Sequence, residues 1–263
     1  MIEAIIVGII QGLTEFLPIS STGHMLIAEK LLNVQYSDAF NVLIQVGSII
    51  AALLVFWKDI AGYFANWRSP ATRDYVLKLL TAFFITGAGG FIAKKCGAKL
   101  PETILPVALA LIIGAFFILA VEYVASRKAL NSNLTWAVVI AVGLGQLSAA
   151  VFPGASRSGM AIMCAILAGM ARPDAVKFSF LVGIPTMFAA GGYQWLDAVK
   201  TGNTRDLFTP EAILAYIVAT VSSFLTVVWL LRFVQKNNFI PFAWYRFALG
   251  AVLVALFACN IIR

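Results

Sequence analysis

Apolar runs of helix length alternate with short polar connections along the chain, and twice the pattern breaks in the same way. The first run, Ile2 to Leu17, stops at Pro18 and gives way to a polar turn and a second short run, His24 to Leu32. At about 16 residues it falls short of the roughly 20 that a transmembrane helix needs, which predicts a re-entrant helix–turn–helix hairpin. Spans are predicted at Phe40 to Trp57, Val76 to Ala93 and Thr103 to Ala125, with a basic loop after Trp57. The break then returns: Leu134 to Phe152 runs into Pro153, a polar turn and the short run Met160 to Met170. Three more spans follow, at Ala175 to Leu196, Glu211 to Leu231 and Phe242 to Ile262.

The recurrence can be checked by offset. A shift of 135 places Gly8 on Gly143, Gln11 on Gln146, Pro18 on Pro153 and Ser21 on Ser156, and a further slip of three places Phe40 on Phe178 and Leu43 on Leu181. Proline-interrupted helices at corresponding positions of two halves are a sequence pointer to a buried site in an inverted repeat. The expected architecture is therefore an all-α polytopic membrane protein, a single membrane domain over 1–263. It has about six transmembrane helices plus two re-entrant hairpins, with repeat one at about 1–125 and repeat two at about 134–263. Three crossings in the first half would invert the second, so the two hairpins enter from opposite faces and can meet near the midplane.

Composition narrows the picture. Of 263 residues, 61% are hydrophobic and 12% charged, against about 25% charged in soluble domains. The runs are too long for barrel strands. The net charge of +7 then speaks of topology and anionic lipid rather than nucleic acid. Lys58, Arg68, Arg73, Lys78, Arg127, Lys128, Arg172, Lys177, Arg232 and Lys236 would share one side. Lys30, Lys94, Lys95, Lys99, Lys200, Arg205 and Arg263 would share the other. The positive-inside rule makes the first set cytoplasmic and opens the first hairpin to the outer face. The amino terminus lacks the basic region of a signal peptide, so the first apolar run is expected to stay in the mature protein. Cys96, Cys164 and Cys259 stand singly and are expected to be reduced, buried packing residues.

The chemistry gathers at the two breaks. Pro153-Gly154-Ala155-Ser156-Arg157-Ser158-Gly159 reads as a phosphate cradle: a helix opening there aims unpaired N–H groups and a positive dipole end outward. Ser156, Ser158 and a forked guanidinium complete it. Arg157 stands between apolar runs, and an intramembrane charge points to function. In the first turn Gln11 and Glu15 share one helix face, Ser20, Ser21 and Thr22 sit where an N-cap would, and His24 lies one turn beyond Ser21. A hydroxyl, an imidazole and a carboxylate are the inventory of an activated nucleophile with an acid–base partner. Each also has a plainer reading: the hydroxyls as helix caps, Glu15 as an ion-pair partner for Arg157, His24 as a merely hydrogen-bonded ring.

Gln11-Gly12-Leu13-Thr14-Glu15-Phe16-Leu17-Pro18-Ile19-Ser20-Ser21-Thr22-Gly23-His24 and Pro153-Gly154-Ala155-Ser156-Arg157-Ser158-Gly159 resemble the two signature motifs of the undecaprenyl-diphosphate phosphatase family, the bacitracin-resistance family. The resemblance implies a bacterial inner-membrane enzyme, open to the periplasmic face, that converts undecaprenyl diphosphate to the monophosphate and so recycles the carrier lipid of peptidoglycan synthesis. It implies Ser21 as nucleophile, His24 as its acid–base partner, Gln11 and Glu15 as the acidic motif, and Arg157 as phosphate clamp. Thr22, Ser156 and Ser158 are implied as further phosphate contacts, with Gly154 and Ser20 in the binding turns. The first acidic position is often Glu in the family and here is Gln11, which moves any base or metal role to Glu15.

A divalent cation, Mg²⁺ or Ca²⁺, fits between Glu15 and the phosphates, because hard cations prefer carboxylate and phosphate oxygens. Expected partners are undecaprenyl diphosphate, membrane lipid and, through self-association, a second copy in a homodimer. The competing function is a polyprenyl-phosphate flippase or transporter of inverted-repeat type. Ser21, His24 and Arg157 discriminate: a carrier needs them at most for binding, an enzyme for turnover.

Overall fold

In the computed structural model, which describes residues 1–98, 103–201 and 209–259, the described residues form eleven helices. Lys99, Arg205, Arg263 and the predicted span end at Ile262 lie outside the described residues. The first break separates α1 (Ile2–Thr14) from α2 (Ser21–Leu31), and the second separates α7 (Trp136–Val151) from α8 (Arg157–Leu167). Among the described residues six helices are long and apolar enough to cross a membrane: α3 (Asp38–Val55), α5 (Pro70–Lys95), α6 (Ile104–Ala125), α9 (Arg172–Lys200), α10 (Pro210–Phe233) and α11 (Ile240–Ala258). This is an all-α polytopic membrane protein, and hairpin–span–span–span occurs twice in its order of elements.

The predicted loop after Trp57 instead contains a helix, α4 (Trp57–Ala65), none of whose residues is buried. Trp57, Phe64 and the following Trp67 are all exposed, interleaved with Lys58 and Arg68. Such a mixture suits a helix lying along a membrane interface, where indole and ammonium groups face headgroups. α5 starts at Pro70 rather than Val76 because proline presets the dihedral of a first turn and lacks only an N–H that the turn leaves unpaired anyway. α9 runs through Pro185 without ending.

The two series interlock. α1 packs along α10 and α7 along α5, so each hairpin leans on the second span of the other series. The close approach is made at matching glycines: a Cβ on Gly8 would lie 2.6 Å from the Ala215 carbonyl oxygen, and one on Gly143 would lie 2.9 Å from Ile85. α9 is the central span, with 67% of its most apolar stretch buried against 11% for the peripheral α5. The main core closes around it: Phe180 of α9 meets the Phe16 ring edge-on at 5.0 Å and Phe56 at 6.4 Å. Phe16 belongs to the first turn, so the hairpin tip is itself anchored in the core.

Two of the basic residues expected on one side, Arg172 and Lys177, lie near the start of α9. Arg172 at the start of α9 forks onto Glu122 near the end of α6, whose Oε1 also accepts the Phe239 N–H at 2.9 Å, ahead of α11. Lys177 pairs with Asp59 of α4 at 2.5 Å at the same end of the molecule. The cysteines are free, but Cys96 and Cys259 are exposed, contrary to the expected burial, because both fall at the C-terminal caps of their helices. Only Cys164 is partly enclosed.

Candidate active site

Both turns are built on a serine in a backbone conformation that L-residues rarely adopt. Ser20 and Ser156 have φ of 71° each, and each caps its helix by accepting the N–H three residues on, from Gly23 at 3.4 Å and from Gly159 at 3.2 Å. Strain of this kind persists where the surroundings over-determine it, and it clusters at functional sites. The matched pair corrects the register read from sequence: Ser156 corresponds to Ser20, not Ser21. Two steps separate Pro18 from its cap and three separate Pro153 from its own, so the offset rises by one inside the turn. Ser21 and Arg157 are therefore equivalent, each the first helical residue after its cap. The extra residue is accommodated by Gly154, with φ of +89°, where a Cβ would lie 2.8 Å from the Val107 carbonyl oxygen.

The tips touch. Ser158 Oγ donates to the Leu17 carbonyl at 3.1 Å and Ser156 Oγ does so at 3.4 Å. Between them lies a residue that the sequence reading left unassigned. Arg246 of α11, 1% exposed, donates to five carbonyls: Leu111 from Nε at 3.1 Å, Pro18 and Ala155 from Nη1 at 3.2 and 3.1 Å, Ala110 and Gly154 from Nη2 at 2.8 and 3.3 Å. One nitrogen thus joins both turns. A Cβ on Gly114 would lie 2.0 Å from Arg246 Nη2, so the guanidinium fits only over a glycine. The rule that singled out Arg157, a charge inside an apolar run, applied equally to Arg246 and was the available signal.

A cavity of about 980 Å³ opens beside the tips. Gln11, Glu15, Ser20, Ser21, Thr22, Gly154, Ser156 and Arg157 line it, so eight of the ten expected site residues share one wall system. Ser21 Oγ donates to Glu15 Oε2 at 2.8 Å, and Gln11 Nε2 donates to the same oxygen at 3.0 Å. Both bonds fall on Oε2 and leave Oε1 of this nearly buried carboxylate open. Arg157 Nη1 is buried without a partner, and among the described residues no ion pair joins Arg157 to Glu15. A buried cationic donor left unpaired is costly, and an anion in the cavity would satisfy it.

Two expected residues stand elsewhere. Ser158 is held at the tip contact rather than on the cavity wall. His24 is turned toward α11: Nδ1 meets the Ser20 carbonyl at 2.7 Å and Nε2 meets the Tyr245 hydroxyl at 2.6 Å, with the rings stacked at 5.5 Å. A nitrogen facing a carbonyl must carry the proton, so the neutral ring accepts from Tyr245. Along α2 the cavity face is formed by Ser21, Thr22, Met25, Leu26 and Glu29, and at 3.6 residues per turn His24 falls off that face. The geometry brings the Ser21 hydroxyl to Glu15, not to His24.

The cavity reaches one end of the helices only. Asp38 opens α3, Lys94 ends α5, and Asp197 and Thr201 close α9, and all four line its mouth. That end is opposite the Glu122–Arg172 and Asp59–Lys177 pairs.

Comparison with known proteins agrees with the motifs. A sequence-family model described as bacitracin resistance protein BacA matches residues 4–252. An undecaprenyl-diphosphatase of Rhizobium etli (strain CIAT 652) is 46% identical over 262 residues, covering 99% of this chain and 98% of the relative. One of Rhizobium leguminosarum bv. trifolii is also 46% identical, over 263 residues with the same coverage, and one of Xylella fastidiosa (strain Temecula1) is 47% identical over 255 residues, 97% of each chain. With its whole helical length matched and the Ser21 and Arg157 turns meeting at one cavity, the chain belongs to the bacitracin resistance protein BacA family.

Proposed function

We propose that the protein hydrolyses undecaprenyl diphosphate to undecaprenyl phosphate and inorganic phosphate, recycling the lipid carrier for peptidoglycan synthesis. The observation that carries this reading is the Ser21 hydroxyl donating to Glu15 on the wall of a cavity that also holds the unpaired Arg157. A carrier needs a clamp for its phosphate but has no use for a hydroxyl poised on a carboxylate. The names of the relatives support the same choice.

In the proposed reaction Arg157 and the opening N–H groups of α8 hold the terminal phosphate and neutralise it, which is most of what phosphoryl transfer asks of a protein. Ser21 Oγ gives its proton to Glu15 and attacks the terminal phosphorus in line. The Oγ–P bond forms as the P–O bond to the lipid monophosphate breaks. Water then attacks the phosphoserine, Glu15 returns the proton to Oγ, and inorganic phosphate leaves. His24 supports the turn through Ser20 in this scheme, and its place off the cavity face argues against its activating water directly.

For a divalent cation the two turns offer one open carboxylate oxygen, Glu15 Oε1. Among the described residues no group of three or more His, Cys, Asp or Glu side chains is gathered. One carboxylate with substrate phosphates and waters is a donor set that Mg²⁺ accepts, and Ca²⁺ also takes oxygen ligands of this kind. Glu15 would hold the ion, which would neutralise phosphate charge. The cavity mouth lies at the end remote from the Arg172 and Lys177 pairs, which favours a site open to the periplasmic face of the inner membrane.

The test is phosphate release from undecaprenyl diphosphate by the purified protein in detergent, with Ser21→Ala and Arg157→Ala run alongside. Turnover by the wild type, with folded variants slower by orders of magnitude, is expected. A wild type that binds the lipid but releases no phosphate with Mg²⁺ or Ca²⁺ present would sink the reading.

A further inference from the structure

Gln146 of α7 lines the same cavity, is 1% exposed, and has no place in the reaction above. Its Nε2 donates to the Ser179 carbonyl of α9 at 3.3 Å. That bond fixes the amide, because the oxygen could not pair with a carbonyl. Oε1 is left buried with no partner, and a buried acceptor without a donor costs free energy until something supplies one. Its counterpart Gln11 donates to Glu15 four residues on, whereas four residues beyond Gln146 stands Ala150. The second half of the site therefore keeps an amide but not its carboxylate.

Among the buried, unpaired atoms of the residues lining the cavity are two of opposite kind on the second repeat, the Arg157 Nη1 donor and the Gln146 Oε1 acceptor; Glu29 Oε1 and Asn41 Oδ1, the others, belong to α2 and α3. An oxyanion alone satisfies the first and repels the second. We propose that Gln146 accepts a hydrogen bond from a protonated oxygen of the terminal phosphate while Arg157 donates to an unprotonated one, so that the site selects the hydrogen-phosphate form of its ligand. Near neutral pH a terminal phosphate carries that proton part of the time, its second pKa being about 6. Sulfate, similar in size and shape, carries none. The proposal makes Gln146 a substrate-contacting residue and rests on the phosphatase reading.

The probes are inorganic phosphate and sulfate as inhibitors of undecaprenyl diphosphate hydrolysis at neutral pH and matched ionic strength, followed by the lipid product. One hydrogen bond predicts that phosphate inhibits at about tenfold lower concentration than sulfate. Gln146→Met, similar in volume but without the acceptor, should bring the two anions to within about twofold of each other. Gln146→Glu, which keeps an acceptor and adds a repelling charge, should weaken both anions yet retain the preference, and it serves if the Met variant does not fold. Equal inhibition of the wild type by both anions, inhibition by neither, or a preference that survives in Gln146→Met overturns the proposal. Those results leave the phosphatase reading standing provided that the wild type turns over, and failure to turn over sinks that reading instead.

Discussion

Replacing Arg246 by Lys keeps the positive charge at the centre of the molecule and removes the fork that distributes it. Five carbonyls now share the guanidinium, at 2.8 to 3.3 Å, and they come from α6 and from both turns. An ammonium has three protons, so at least two of those acceptors lose their donor. The site is 1% exposed, and the vacated carbonyls cannot turn to bulk solvent. At about 1–3 kcal/mol for each buried group left unpaired, the expected loss is about 2–6 kcal/mol. Against a net stability of order 5–15 kcal/mol that is a large fraction. Thermal unfolding in detergent should show a much lower midpoint for Arg246→Lys. At temperatures where the variant is still folded, phosphate release should fall more than the folded fraction does, because Nη1 is what holds the Pro18 and Ala155 carbonyls together. A variant that unfolds within a degree or two of the wild type and turns over at the same rate would refute the idea that this side chain fastens the tips.

Three further substitutions separate the parts. Glu15→Gln keeps a hydrogen-bond acceptor beside Ser21 but cannot take its proton, and steady-state kinetics should show kcat lower by about 10²- to 10⁴-fold with little change in KM. Gly154→Ala must adopt a positive φ and push a methyl toward the Val107 carbonyl, and chemical or thermal denaturation should report a loss of about 1–3 kcal/mol. Glu122→Gln leaves Arg172 without its counter-charge at a partly buried site while still offering an oxygen to the Phe239 N–H. It should lower stability by about 3 kcal/mol in the same assays, with kcat per folded molecule unchanged, since the pair lies at the end remote from the cavity mouth.

The apolar runs announced the six spans and the two broken helices directly, because bilayer thickness is a length constraint that sequence obeys openly. What the runs did not announce has local causes. α4 is short and mixes Trp57 and Phe64 with charge, so a reading tuned to long apolar segments took it for loop. The equivalence of Ser20 with Ser156 was displaced by one because the prolines are the louder letters, while the caps define the fold. His24 is close to Ser21 in sequence, but proximity along a helix does not ensure a shared face, and Tyr245, distant in sequence, captured the ring. Arg246 was legible as an isolated charge. Its partners are backbone carbonyls, which carry no residue-specific signature, and so its role appears only once the turns are in place.

The equivalence of Ser21 and Arg157 has a stereochemical consequence. In-line displacement requires the attacking oxygen to arrive on the side of phosphorus opposite the departing one, and charge builds on both. A chain that presents two like helix starts to one cavity would, under the proposed mechanism, place attack and neutralisation on separate mounts of the same construction. In the proposed reaction the positive ends of α2 and α8 would both bear on the phosphoryl group. Divergence at a single position, hydroxyl in one mount and guanidinium in the other, would on that mechanism convert a symmetric anion receptor into one with a direction.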